Sequence, residues 1–372
     1  MKEEKRIDFL GFETLEDDWF NKEDNSYYNI LNKKYHVIID TKNPDYLFLG
    51  PFLFKNIYAQ EKFIKSKIRI FITVEAVVPD FNCVDYAISY FDNIKIEDRC
   101  LKLLDPSISK LIHSSCPKKK EAAKILEEKS KFCNYIYTHK GQNERKNIFK
   151  TLNKYKRVDS LGKYLNNTKI ENEMKRNGDW LKSSIELKKP YKFSIAFENS
   201  HHFGYLTEKI STSFLANTIP IYWGDPIVDR YINSKAFINC FDFNSFEDVA
   251  KRVQEIDEND DLYINILSQN RLTELGQKEV EESDSKLEKF LYHIFDQDIY
   301  KARKRGRGLW NSMNEKFMIN VMKENRWTEY GVISGKEKLR ITIIEFCKKI
   351  GVYQIFTTPI KLVKYIKKLL LF

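Results

Sequence analysis

Short runs of β-branched and aromatic residues alternate with amphipathic or turn-rich stretches along most of the chain, and they fall into two series. In the first, residues 36–40, 46–50, 69–74 and 86–90 read as strands, 58–67 as a helix and 80–83 as a loop. In the second, 132–138, 157–160, 193–198, 219–223 and 236–241 read as strands, while 144–155, 207–217, 246–257 and 287–295 read as helices. Strands spaced by helical connections of ~10–15 residues point to βαβ units and mostly parallel sheets. Residues 114–130 are rich in Lys and Glu, with little to build a sheet, and predict a helical linker. The expected organisation is an α/β domain at 1–115, a linker at 116–130, a second α/β domain at 131–300 and a basic helical tail at 301–372.

Composition supports that picture. The chain has 372 residues, 42% of them hydrophobic and 31% charged, which is a globular balance with room for two cores. The first residues, MKEEKRIDFL, do not have the pattern of a signal peptide. Cys83, Cys100, Cys116, Cys133, Cys240 and Cys347 are widely spaced with no C-x-x-C pair, as expected of reduced, mostly buried thiols in a cytoplasmic protein.

Charge changes the picture only at the end of the chain. The net charge is +10, but residues 301–372 hold 17 Lys and Arg against 5 Glu, so the rest is nearly neutral. Lys301, Arg303, Lys304, Arg305 and Arg307 form one basic cluster. Residues 357–372 then predict a helix with Thr358 as N-cap and Pro359 at its first position. Leu362, Ile366 and Leu370 share one face, and Lys361, Lys364 and Lys368 another. A basic amphipathic helix suits the surface of an anionic membrane. The charge comes with no recognised nucleic-acid-binding module, so nucleic acid is not the expected partner.

Several common chemistries are missing. No G-x-G-x-x-G, G-x-x-x-x-G-K-[ST] or G-x-S-x-G sequence occurs. Asp296-Gln297-Asp298 follows a predicted helix and reads as solvated surface, and His201-His202 has no companions at ligand spacing, so no metal site is expected. The dense region is FSIAFENSHHFGYLTEKISTSFLANTIPIYWG, residues 193–224. A strand leads through a turn to a helix opening at Thr207-Glu208-Lys209. A helix amino terminus with a lysine in its first turn is a place to receive phosphate. Glu198 at the end of the strand reads as a cap or turn acceptor, and the next strand ends in Tyr222-Trp223-Gly224-Asp225-Pro226.

FENS-x₄-YLTEKI followed by NTIPIYWGDP closely resembles the signature of the α1,3/α1,4-fucosyltransferases, glycosyltransferase family 10. IFITVEAVVPDFNCVDYAISY (70–90), NERKNIFKTLNKYKRVDSLGKYLNN (143–167) and AFINCFDF (236–243) are similar to further family segments, in the same order. The resemblance spans roughly 70–257, about half the chain; the first 60 and last 70 residues are outside it. It implies the GT-B architecture, two Rossmann-like domains facing across a cleft, and inverting transfer of L-fucose from GDP-β-L-fucose without a metal or other cofactor. By the same resemblance Glu75 takes the general-base position, and Arg145, Tyr205, Glu208 and Lys209 take donor-binding positions, with Lys146 competing for the place of Arg145. Glu198 and Asn199 would shape the donor-binding turn. His201-His202-Phe203 is bulkier than the family pattern at that turn. The implied acceptor is a GlcNAc-containing glycan, N-acetyllactosamine-like or lipid-linked, joined through an α1,3 linkage in surface glycan or lipopolysaccharide synthesis. The expected location is the inner face of the cytoplasmic membrane. A GT-B transferase for another nucleotide sugar, or a non-catalytic glycan- or membrane-binding protein, are the alternatives.

Overall fold

The structure is a computed structural model that describes residues 2–12, 20–51, 60–73, 75–170 and 180–323. The predicted helix at 357–372 and Cys347 lie outside the described residues.

The chain divides into two compact units. The first opens with β1 (Glu4–Leu10), α1 (Ser26–Lys34), β2 (His36–Ile39), β3 (Tyr46–Leu49), α2 (Gln60–Lys65), β4 (Ile68–Ile72) and β5 (Tyr86–Ser89), followed by the short β6 (Cys100–Lys102). Its sheet runs β2-β1-β3-β4-β5-β6, and the pairs from β2 to β5 are parallel. β3 is buried on both faces, as a parallel strand covered on both sides must be. Asn25 starts α1 by accepting from the Tyr28 N–H, 3.0 Å away.

The second unit holds α3 (Pro106–Ser109), α4 (Lys119–Glu128), β7 (Lys131–Tyr135), α5 (Asn143–Asn153), β8 (Val158–Ser160), α6 (Trp180–Lys188), β9 (Tyr191–Phe197), α7 (Glu208–Leu215), β10 (Ile219–Trp223), β11 (Ile238–Asn239), α8 (Phe246–Asp257), α9 (Asp260–Leu267) and α10 (Glu274–Glu281). Its parallel sheet runs β11-β10-β9-β7-β8. One core packs α4, α5, α8 and α9 around Cys133, Tyr135, Phe193, Ile195 and Ile221. A second core, on the other face, joins α3 and α7 through Ile108, Ile210 and Phe214. Counted from its first strand, the second unit has the order 2-1-3-4-5 and the first the same order with a sixth strand added; both reverse direction between the first and third strands.

The chain then returns to the first unit through α11 (Ser283–Phe295), α12 (Ile299–Ala302) and α13 (Leu309–Lys323). Phe295 stacks on Tyr46 with ring centroids 4.0 Å apart.

Four expectations change. Residues 116–130 are not a linker: Ala122 of α4 is fully buried, with Ile125 and Leu126 packed on the second unit's core. The second domain does not run to 300, because Phe295 and the residues around it belong to the first unit. The strand at 236–241 shrinks to β11, since Asn233 and Asn239 each cap a 3₁₀ turn on either side of it. The residues from 301 on are not only a separate basic tail. Arg305 is buried, bonded to Asp85, to Glu315 (3.0 Å) and to the carbonyls of Ser66 and Lys67 (3.0 and 2.9 Å). Of the five described cysteines, only Cys133 and Cys240 are buried.

Candidate active site

In open parallel α/β sheets, ligands bind at the carboxyl ends of the strands where the strand order reverses. In the second unit that point lies between β7 and β9. Tyr137, just past β7, bridges the two: its hydroxyl lies 3.0 and 3.1 Å from the Ile195 and Phe197 carbonyls and 2.7 Å from the Phe197 N–H. The Arg145 guanidinium lies over the Tyr137 ring, 4.0 Å from its centroid. Arg145 occupies the first turn of α5 and is buried. Its Nη2 donates to the Phe197 carbonyl at 2.9 Å and to Asn199 Oδ1 at 2.6 Å. Its Nε is buried, with no hydrogen-bond partner among the described residues. Gly141 (φ +59°) makes room for this side chain, because a Cβ there would strike the guanidinium. Lys146, the competitor for this place, is only half-buried.

β9 leads directly into Glu198, which is fully buried. Glu198 accepts from the Thr207 N–H at 2.8 Å and the Thr207 hydroxyl at 2.6 Å, tying the end of β9 to the start of α7. Gly224 passes so close that a Cβ there would run into the Glu198 side chain. Lys209 Nζ lies 3.0 Å from Glu198 Oε2, 3.1 Å from Glu208 Oε1 and 2.9 Å from Thr207 Oγ1. Burial alone would depress the Lys209 pKa, but the two carboxylates outweigh it and hold the ammonium firmly charged. Glu208 is drawn below its ordinary value by Lys209 against the cost of burial. The anion that a lysine in a helix's first turn calls for is thus supplied within the protein by Glu198 and Glu208. The arrangement is a buried cation held in place by two carboxylates, with Lys209 still partly open to solvent.

Tyr205 is buried and lies alongside the Phe91 ring, centroids 6.5 Å apart, so it is a packed residue and not a surface contact. Asn199 acts by orienting Arg145. His202 meets the Phe91 ring edge-on, while His201 lies beside Trp223 and Phe241. Adjacent histidines therefore serve separate packing sites. Among the described residues, no three His, Cys, Asp or Glu gather as a metal site. Asp296 bonds to Lys34 (2.6 Å) and Tyr35 (2.6 Å), and Asp298 caps α12.

Glu75, in the first unit, follows the carboxyl end of β4 and is half-buried. Thr73 shapes the turn, its hydroxyl donating to the Glu75 carbonyl at 2.6 Å.

Asp225, Lys188 and Tyr137 carry no role in the sequence reading. Asp225 is buried; its Oδ1 accepts from the Gly204 and Ile227 N–H groups at 2.9 and 3.0 Å, and its Oδ2 has no hydrogen-bond partner among the described residues. Burial pushes its carboxyl up to about 6, against those two N–H groups. Asp225 stood within the NTIPIYWGDP motif, so its position was available; nothing in the sequence marks Lys188.

The profile of glycosyltransferase family 10 (fucosyltransferase), C-terminal part, matches residues 126–290, and that of the alpha-(1,3)-fucosyltransferase FucT N-terminal domain matches 7–105. Together they cover well over half of the sequence. The chain belongs to glycosyltransferase family 10. The family's likeness reaches back to residue 7, further than the motifs alone had carried it. Every donor-side residue described above lies inside the C-terminal family match, and Glu75 inside the N-terminal one. The alpha-(1,3)-fucosyltransferase FucT of Helicobacter pylori is 30% identical over 241 residues, covering 56% of this chain and 48% of that protein. A putative fucosyltransferase of Acanthamoeba polyphaga mimivirus is 37% identical over 147 residues, covering 39% of this chain and 24% of that protein. The chain thus spans at most about half the length of these family-10 relatives. A crystal structure of an alpha1,3-fucosyltransferase superposes with TM-score 0.60 at 23% identity, over 80% of this chain and 92% of that one. A structure of an alpha1,3-fucosyltransferase with GDP-fucose gives 0.56 at 22% identity, over 78% and 91%. These likenesses show the family's GT-B fold.

Proposed function

We propose that this family-10 chain is an inverting fucosyltransferase that uses GDP-β-L-fucose as donor. The observation that carries the reading is the cluster of fixed charges at the carboxyl ends of β7 and β9, where the strand order reverses. Arg145, oriented by Asn199 and Tyr137, and Lys209, held by Glu198 and Glu208, lie at the strand ends beside the amino terminus of α7.

In this reading the diphosphate lies at these strand ends, where Arg145 and the partly open face of Lys209 offset the charge that grows on the leaving group. Glu208 receives hydrogen bonds from sugar hydroxyls, and Tyr205 supports the pocket wall from within. Glu75 removes the proton from the acceptor hydroxyl as its oxygen bonds to C1 of fucose. The C1–O bond to phosphate breaks, GDP departs with the electron pair, and Glu75 keeps the proton. Fixed cations do the work that a divalent metal would do in other transferases, so no cofactor is needed.

The acceptor we propose is a GlcNAc-containing glycan, N-acetyllactosamine-like or lipid-linked, with α1,3 linkage, in surface glycan or lipopolysaccharide synthesis. The protein would work at the inner face of the cytoplasmic membrane, with 357–372 on the anionic lipid. One described feature supports a membrane contact: α13 turns Leu309, Trp310, Met313 and Phe317 to solvent, while its Glu315 points inward to Arg303 and Arg305. Among the described residues, no helix is long and apolar enough to cross a membrane.

Calorimetric titration with GDP-fucose, GDP-mannose and UDP-galactose in EDTA tests the reading. Selective binding of GDP-fucose supports it, and selective binding of another nucleotide sugar would overturn the fucose assignment while leaving the fold intact.

A further inference from the structure

Behind the donor site lies a second, hidden lysine. Lys188 ends α6 and is 4% exposed. Its Nζ lies 2.7 Å from Thr212 Oγ1, 3.1 Å from Ser213 Oγ and 3.3 Å from the Lys209 carbonyl. Both hydroxyls spend their own protons on carbonyls of the first turn of α7: Thr212 donates to Glu208 O at 2.7 Å and Ser213 to Lys209 O at 2.8 Å. All three oxygens facing Nζ are therefore acceptors, and three N–H bonds are what an ammonium provides.

What the pocket lacks, among the described residues, is a counter-ion: none of their carboxylates touches Lys188. Glu198 and Glu208, at the end of β9 and the start of α7, already hold Lys209, and Asp105 at the cap of α3 bonds the Ser107 N–H. Lys209 itself repels a second positive charge. Burial accordingly pushes Lys188 down to about 7, with Lys209 adding to the effect and the two glutamates opposing it. A hydrogen-bonding frame for an ammonium, without the anion to balance it, is a site waiting for negative charge nearby.

We propose that Lys188 takes up a proton from solvent when the donor diphosphate settles at the amino end of α7, making donor affinity depend on pH without Lys188 touching the ligand. This rests on the donor reading above. The sign follows from linkage: the ligand favours the charged amine, so binding is strongest where Lys188 is already protonated and weakens as pH rises through its free value. GDP-fucose suits the test because its diphosphate is esterified at both ends and has no proton of its own to lose near neutrality.

The experiment is calorimetry of GDP-fucose with the full chain in two buffers of different protonation enthalpy, from about pH 6.5 to 8.5, where affinity should fall by up to about tenfold per pH unit. Proton uptake of up to one per donor bound is expected near the upper end. Lys188→Arg, charged throughout, should still bind while uptake and pH dependence disappear. Thr212→Val, which removes one acceptor, should move the transition to lower pH. Identical observed heats in the two buffers, or uptake that persists in Lys188→Arg and so belongs to Glu198, Asp225 or a histidine, would overturn the role of Lys188. Absence of GDP-fucose binding at every pH would instead overturn the donor reading, and this inference with it.

Discussion

The two units share the order of their first five strands but use buried charge differently. In the first, ions close on one another to fasten segments together. Asp8 is held by Lys22 and Lys62, at 2.7 and 2.5 Å, and Asp85 at the amino end of β5 gathers Arg305 and the N–H groups of Arg69, Lys304 and Arg305. Arg69 spans the same network, bonding the Phe63 carbonyl at 2.9 Å and approaching Glu315 at 3.6 Å. In the second unit, charge collects at the carboxyl ends of β7, β9 and β10 and is left incompletely satisfied. Among the described residues, Arg145 Nε and Asp225 Oδ2 have no hydrogen-bond partner, and Lys188, on the helix packed beside α7, has no carboxylate in contact; in the first unit the one comparable atom is Arg69 Nη2. Buried polar groups are costly unless paired. Unspent capacity is tolerable where a ligand completes it, and the carboxyl edge is where a ligand arrives in this topology.

The largest expected effect falls on chemistry. Glu75→Gln should lower transfer by about 10²–10⁴-fold, the span associated with a general base, while GDP-fucose still binds. A transfer assay run beside calorimetry checks it, and retained turnover would remove Glu75 from the mechanism. Next comes the lock in the first unit. Arg305→Met leaves Asp85 and Glu315 without their shared cation, and removing one partner of a buried pair costs about 3–5 kcal/mol. Thermal unfolding should show it as a clear fall in Tm; an unchanged Tm would mean that this basic cluster is a solvated tail. Arg145→Lys should weaken GDP-fucose binding by roughly 10- to 100-fold, because a lysine cannot reproduce the guanidinium's fork. Lys146→Ala, a substitution one residue away, should change binding little. Equal effects at the two positions would erase the distinction between them.

Much of this was legible in the sequence, and what was not has physical causes. Eight strands appeared within a few residues of their final limits because parallel strands buried on both faces are nearly continuous apolar runs. β1 escaped because Lys5, Arg6 and Asp8 interrupt its pattern, and the buried Asp8 is balanced by Lys22 and Lys62, well along the chain. The burial of Arg305 was illegible for the same reason: nothing local announces Asp85, about two hundred residues earlier. The donor motif grouped its residues in one turn but did not give their directions. Lys209 faces two glutamates, and Tyr205 lies in the interior. Sequence spacing fixes which residues share a turn. Whether a charge in that turn looks outward or inward depends on β9 and β10 meeting at Glu198 and Gly224, a contact between segments that no local pattern encodes.

The finest test of the comparison concerns Asp225, where unspent capacity should register as stability. Its carboxyl is pushed up to about 6 by burial, above the ordinary 3.8 that the unfolded chain would show. The folded state therefore holds a proton that the unfolded state has already released, and stability declines as pH rises from about 4 to 6. Asp225→Asn keeps an oxygen for the Gly204 and Ile227 N–H groups but has no charge to bury. The variant should match the wild type near pH 4 and exceed it by about 1–2 kcal/mol at pH 7, with a flatter profile between. Chemical denaturation across that range measures it. If the two profiles run parallel, the ionised carboxylate is satisfied by something the hydrogen bonds do not reveal, and the carboxyl edge of the second unit is less open than its orphaned atoms imply. If instead Asn gains stability but loses GDP-fucose affinity, the negative charge on Asp225 is kept for the ligand's sake, and the edge trades stability for binding.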